Sequence, residues 1–105
     1  MDFDFNDKNL IKLYTTGKSP KHKGLPGNVV KNFIARIGEI ESATDIYDLW
    51  HKPSLNFKKL KGKKKDYCSI RVTGKWRLEF KVDWEDKEQT KGFCLIIELS
   101  NHYGD

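Results

Sequence analysis

The 105-residue chain has no apolar run long enough to cross a bilayer, so it does not read as a helical membrane protein. It has only two cysteines, Cys68 and Cys94, with neither C-x-x-C spacing nor a Cys/His cluster, which argues against a zinc site. Reduced, buried thiols fit best, with a disulfide between neighbouring strands as the alternative. Ser–His–Asp spacing, H-E-x-x-H, a phosphate-binding glycine loop and a catalytic type of carboxylate pair are all missing. Triad hydrolysis, zinc peptidase chemistry and P-loop chemistry are therefore not expected, and neither is a cofactor or a metal. Repeats are missing too. The start, Met1-Asp2-Phe3-Asp4-Phe5, is acidic and alternating, unlike a signal peptide, so a cytoplasmic protein with no membrane partner is expected.

What is present is charge, unevenly placed. The net charge is +5, and residues 1–50 balance while the whole excess falls in residues 51–105. Six lysines lie between Lys58 and Lys65. Such a cluster repels itself unless a polyanion meets it; a solvated charged turn is the alternative. With 37% apolar residues and three tryptophans, the composition is that of one folded domain spanning residues 1–105.

The pattern along the chain predicts an α+β fold. Asp2 to Phe5 alternates as a short strand. Asn6 or Asp7 caps a helix from Lys8 to Thr15, with Leu10, Ile11 and Tyr14 on one face and Gly17 at its end. Lys18 to Gly27 reads as a loop. A second helix from Asn28 to Ser42 carries Val29, Val30, Phe33, Ile34, Ile37 and Ile40 as one apolar stripe. Gly38 weakens it and is expected to mark close packing. Thr44 caps a helical turn from Asp45 to Trp50, stopped by Pro53. Strands follow at Asn56–Leu60, Tyr67–Thr73, Trp76–Trp84 and Phe93–Leu99, the last an interior strand, with a Gly74-Lys75 hairpin. The expected product is a mainly antiparallel sheet of four to five strands, with two to three helices covering one face. Alternation puts Arg71 and Arg77 together on the other face.

That face holds the candidate chemistry. Arg77 offers a planar fork suited to phosphate; the alternative is a cross-strand pair with Glu79, Asp83 or Glu98. Lys59 and Lys61 should share one face of their strand and Lys58 the other. A lysine crowded by cations and desolvated by phosphate becomes a usable acid or base. Lys63, Lys64 and Lys65 suit nonspecific phosphate contact. His102 follows the last strand and could shuttle protons at the edge of this face. His22 and His51 read as loop residues without a role.

The run Leu60-Lys61-Gly62, Tyr67-Cys68-Ser69-Ile70-Arg71-Val72, Gly74-Lys75 and Trp76-Arg77-Leu78-Glu79-Phe80 resembles the HigB branch of the RelE/ParE toxin superfamily, over roughly residues 28–103. The resemblance implies a RelE-like fold and the toxin of a type II toxin–antitoxin pair. It implies a ribosome-dependent endoribonuclease (mRNA interferase) that turns a ribose 2′-hydroxyl on its own phosphate without a metal. A toxin-fold protein that binds without cutting, either a ParE-like topoisomerase poison or an RNA-binding module, is the alternative. By resemblance Lys61 and Arg77 are catalytic or phosphate-contacting; from their charge, Lys59, Lys63, Lys64, Lys65 and Arg71 are expected to bind RNA or the ribosome. Many members carry a histidine shortly before L-K-G; Lys58 stands there. Many end the last strand in Asp-Tyr-His; Ser100-Asn101-His102 keeps the histidine. The implied partners are a helix-turn-helix, HigA-like antitoxin, the ribosome and mRNA, with promoter DNA reached only through the antitoxin.

Overall fold

The computed structural model describes residues 1–101. Its elements in chain order are β1 (Phe3–Phe5), α1 (Lys8–Thr16), α2 (Gly27–Ser42), α3 (Ile46–Trp50), β2 (Lys58–Lys59), β3 (Tyr67–Thr73), β4 (Trp76–Trp84) and β5 (Gly92–Ser100). Short 3-10 turns occupy Pro20–His22, Pro53–Leu55 and Gly62–Lys64. The strands form one sheet in the order β1-β5-β4-β3-β2, antiparallel throughout except where β1 runs parallel to β5. This is the α+β layout the sequence predicts, with β5 in the interior.

Asp7 starts α1 by accepting the Leu10 N–H at 2.9 Å, and left-handed Gly17 (φ 77°) closes it. The buried arc of α1 is Leu10 and Leu13, with Tyr14 packed against the rings of Phe3 and Phe5. Ile11, expected on that arc, is exposed, because it sits about 100° round the helix from Leu10. The same geometry corrects α2. Val29, Phe33, Ile37 and Ile40 are buried, Val30 is half-buried, and Ile34 turns outward. A Cβ added at Gly38 would meet nothing within 4 Å, so this glycine does not mark close packing. Asp45, not Thr44, caps α3: its carboxylate accepts from the N–H groups of Tyr47 and Asp48 at 2.9 and 3.3 Å.

The inner face of the sheet buries Cys68, Ile70 and Val72 of β3, Leu78, Phe80 and Val82 of β4, and Cys94, Ile96 and Leu99 of β5 against the helices. Ile96 and Leu99 are three residues apart, which strict alternation would send to opposite faces. The register slips between Glu79 and Phe80, leaving Ile97 as an extra residue, and that slip lets both face inward. Cys68 and Cys94 are free, with β4 between their strands. Two strand spacings, about 9–10 Å, exceed disulfide reach, so the neighbouring-strand disulfide is excluded. Burial pushes their thiols up to about 12 and about 11.

β2 is shorter than the sequence suggests. Asn56, in the left-handed region at φ 43°, ends one 3-10 turn, and Gly62 (φ 67°) opens the next. Lys58 and Lys59 pair with Ser69 and Cys68, and the Leu60 N–H donates to the Tyr67 carbonyl at 2.9 Å just beyond them. No helix among the described residues is long and apolar enough to cross a membrane.

Candidate nucleic-acid interface on the outer sheet face

Directly paired residues share a face, so the register sorts the candidate residues. Arg71, Arg77 and Ser100 form one cross-strand row on the face away from the helices. Lys58, Ser69, Glu79 and Glu98 form the next. Tyr67, Lys81 and Leu95 form a third, with the Lys81 ammonium 5.9 Å from the Tyr67 ring. The alternation-based placement of Arg71 beside Arg77 is what the structure shows.

Depth separates the two arginines. Arg77 is 4% exposed, flanked by β3 and β5. Its Nε donates to Ser69 Oγ at 3.1 Å, and its Nη2 donates to the carbonyls of Ser69 and Asn56 at 3.1 and 2.6 Å. The small Ser69 side chain leaves room for the guanidinium and also accepts from it. Arg71, one strand nearer the edge, is exposed; its carbonyl accepts from Arg36 Nε at 2.9 Å.

Glu79 is also buried, at 2% exposure, and receives the Lys64 ammonium at 2.9 and 3.2 Å. Lys64, expected on phosphate, reaches instead from the basic turn to the sheet. Its pKa is raised chiefly by that hydrogen bond, so it stays protonated. The cross-strand partner of Glu79 is Glu98, which makes a pair of carboxylates that sequence spacing could not reveal.

The remaining lysines divide. Lys58 lies on the outer face with Ser69 and is exposed. Lys59 points the other way: its ammonium donates to the Gln89 carbonyl at 3.0 Å and sits 4.8 Å from the centre of the Trp84 ring. Lys61, Lys63 and Lys65 are exposed on the turn and have no salt-bridge partner among the described residues. Asp66 anchors the end of that turn. It holds φ 72°, its carboxylate accepts from Trp84 Nε1 at 3.0 Å, and its carbonyl accepts from Val82 N–H at 2.9 Å. His102 lies outside the described residues.

His22, a loop residue with no role expected from the sequence, comes close to this face. A cleft of about 250 Å³ beside the end of β5 is lined by His22, Glu98, Ser100 and Trp76, among others. His22 Nδ1 lies 2.6 Å from Ser19 Oγ. Burial first, then Lys21, hold its pKa below the ordinary histidine value, against an opposing pull from Asp7. The loop sequence carries no sign of this, because only the tertiary fold brings residue 22 to β5.

The arrangement has solved and sequenced counterparts. The YoeB/ParE toxin from Agrobacterium tumefaciens matches with a TM-score of 0.53 at 15% identity, covering 98% of this chain and 100% of that one. At that identity the likeness shows the fold alone. A family model described as the RelE-like toxin of the type II toxin–antitoxin system HigB matches residues 3–93. The chain belongs to the HigB-like toxin family. Toxin HigB-1 of Vibrio cholerae serotype O1 is 31% identical over 102 residues, covering 97% of this chain and 98% of that protein. As a HigB-like toxin the chain is one half of a type II pair, and an antitoxin partner is implied. The family match begins in β1, earlier than the motif resemblance did, and ends before His102.

Proposed function

We propose that this HigB-like toxin is a ribosome-dependent endoribonuclease that cuts translated mRNA by metal-free acid–base chemistry on its outer sheet face. The observation that supports this reading is the juxtaposition of the Arg71–Arg77 row with Lys58 and the lysine turn. In the proposed step a base takes the proton of a ribose 2′-hydroxyl, and the 2′-oxygen attacks the adjacent phosphorus. The bond to the 5′-oxygen breaks, and that oxygen receives a proton. Negative charge grows on the phosphoryl oxygens, where fixed cations act most strongly. Arg71 and Lys61 are open to a phosphate, while buried Arg77 supplies a positive charge from beneath at low local dielectric. Lys58 or His102 serves as the proton-transfer group; Lys63 and Lys65 hold the flanking backbone, with Lys64 and Lys59 contributing charge from their anchored positions. The antitoxin in this reading is a HigA-like helix-turn-helix protein, through which alone the toxin meets promoter DNA, and the setting is the cytoplasm.

Expression without an antitoxin should arrest growth and fragment translated mRNA; normal growth at good expression would overturn the reading. The burial of Arg77 favours one second reading, a toxin-fold binder that does not cut. Lys61→Ala separates the two: an enzyme loses turnover by orders of magnitude while keeping ribosome association, whereas a binder loses affinity in salt-dependent steps.

A further inference from the structure

The short helix α3 carries an aromatic patch that the outer-face site does not use. Tyr47 and Trp50 are 46% and 51% exposed, and their rings stack with centroids 6.3 Å apart and planes 19° apart. Three residues apart on a helix, they share one face. Trp50 rests on Phe57 at 5.3 Å, and the His51 ring lies 6.4 Å from that of Tyr47. Two large rings left open side by side mark a contact surface rather than scattered surface apolarity.

Its surroundings indicate the ligand. Lys52 follows His51, Lys58 follows Phe57, and both are exposed. Lys52 meets Glu39 only at 4.0 Å, the outer limit of an ion pair. The two carboxylates of this segment are engaged by backbone: Asp45 by the N–H groups of Tyr47 and Asp48, and Asp48 by that of Thr44 at 2.7 Å. Open π-faces, with exposed lysines next in the chain to His51 and Phe57 and with Asp45 and Asp48 engaged by backbone, match an unpaired nucleobase on a phosphate backbone. The patch is also joined to the outer-face site. Asn56 accepts from Arg77 through its carbonyl, and the next residue, Phe57, supports Trp50.

We propose that Tyr47 and Trp50 form a stacking platform for an unpaired RNA base next to the phosphate held on the outer face, with Lys52 and Lys58 on its backbone. The position of that base rests on the ribonuclease reading, but stacking itself requires no cleavage.

The test uses the full chain and two probes of equal length: a single-stranded oligoribonucleotide with 2′-O-methyl groups to block cutting, and its abasic counterpart. The base-bearing probe should bind at least about 5-fold tighter, and the gap should persist as salt is raised, because stacking is not electrostatic. Tyr47→Ala and Trp50→Ala should each shrink the gap several-fold, leaving abasic affinity and its salt slope unchanged. Trp50→Ala also removes the cover of Phe57; Tyr47→Ala, whose ring meets only Trp50 and His51 among the aromatic contacts of the described residues, keeps the test independent of folding. Equal affinity for both probes, no binding of either, or variants that weaken both alike would each overturn the platform. So would variants that keep the gap but lose the antitoxin. A protein that cuts mRNA without showing the gap loses the platform alone. One that shows the gap without cutting loses the ribonuclease reading alone.

Discussion

Cations on the strands and cations on the 61–66 turn are held in different ways. On β4, Arg77 is sunk into the sheet and donates to Ser69 and Asn56; on β2, Lys59 is fixed between the Gln89 carbonyl and the Trp84 ring. On the turn, Lys61, Lys63 and Lys65 stay in solvent, and among the described residues only Lys64 crosses to a partner, Glu79. Arg77, on the outer face, is preorganised and in the proposed reaction loses little on meeting a developing charge, while Lys59, turned to the other side, adds charge only from a distance. Lys61, Lys63 and Lys65 are held by no salt bridge among the described residues, and in the proposed function they contribute attraction more than precision. One dense stretch of positive charge in the sequence thus becomes two devices in the fold.

The largest effect is expected from Arg77→Ala. It leaves the Ser69 and Asn56 carbonyls and the Ser69 hydroxyl without this donor, so urea denaturation should show a loss of roughly 3 kcal/mol. mRNA cleavage should fall by about 100-fold or more. An unchanged urea midpoint would mean that the buried guanidinium does not hold the face together. Glu79→Gln should cost less, on the order of 1 kcal/mol, because Lys64 is half in solvent. The native pKa of Lys64 is raised, so its pair with Glu79 contributes fully below the ordinary lysine value of 10.5 and is lost as pH climbs through the higher native value. The stability gap between wild type and Glu79→Gln should therefore be flat at neutral pH and close only in strong alkali. A gap that closes near pH 7 would assign the pair to another group. The smallest effect on folding is expected from the triple change Lys61→Ala, Lys63→Ala and Lys65→Ala, within about 0.5 kcal/mol of wild type. Its RNA affinity should fall, with the salt slope reduced by roughly 2. A large stability change there would show that the turn is held by its lysines after all.

Alternation made β3 and β4 readable to the residue, together with the Gly74-Lys75 turn, because one face of each strand is wholly apolar. It also placed Arg71 and Arg77 on one face. It could not give their depth, which depends on which strand ends up central: Arg77 has neighbours on both sides, whereas Arg71 stands on the strand next to the short edge. The wide apolar arcs of α1 and α2 overstated burial at Ile11 and Ile34, since the sheet covers less of each helix than the apolar residues span. Lys59 and Lys64 were legible as cations but not as anchors, because their partners, Gln89 and Glu79, lie 30 and 15 residues away. The carboxylate pair Glu79–Glu98 and the approach of His22 to β5 are products of tertiary register, and no local pattern encodes them.

The brevity of β2 matters beyond the site. The outermost strand of a sheet is where a second molecule can add its own backbone and begin a fibre. Here that margin offers two residues, both lysine, between the left-handed Asn56 and the turn at Gly62. A copy docking in register would set its own Lys58 and Lys59 against them, and like charges would part the two before a ladder could form. The same charge that would draw RNA to the toxin would thus keep copies of it from polymerising along this margin.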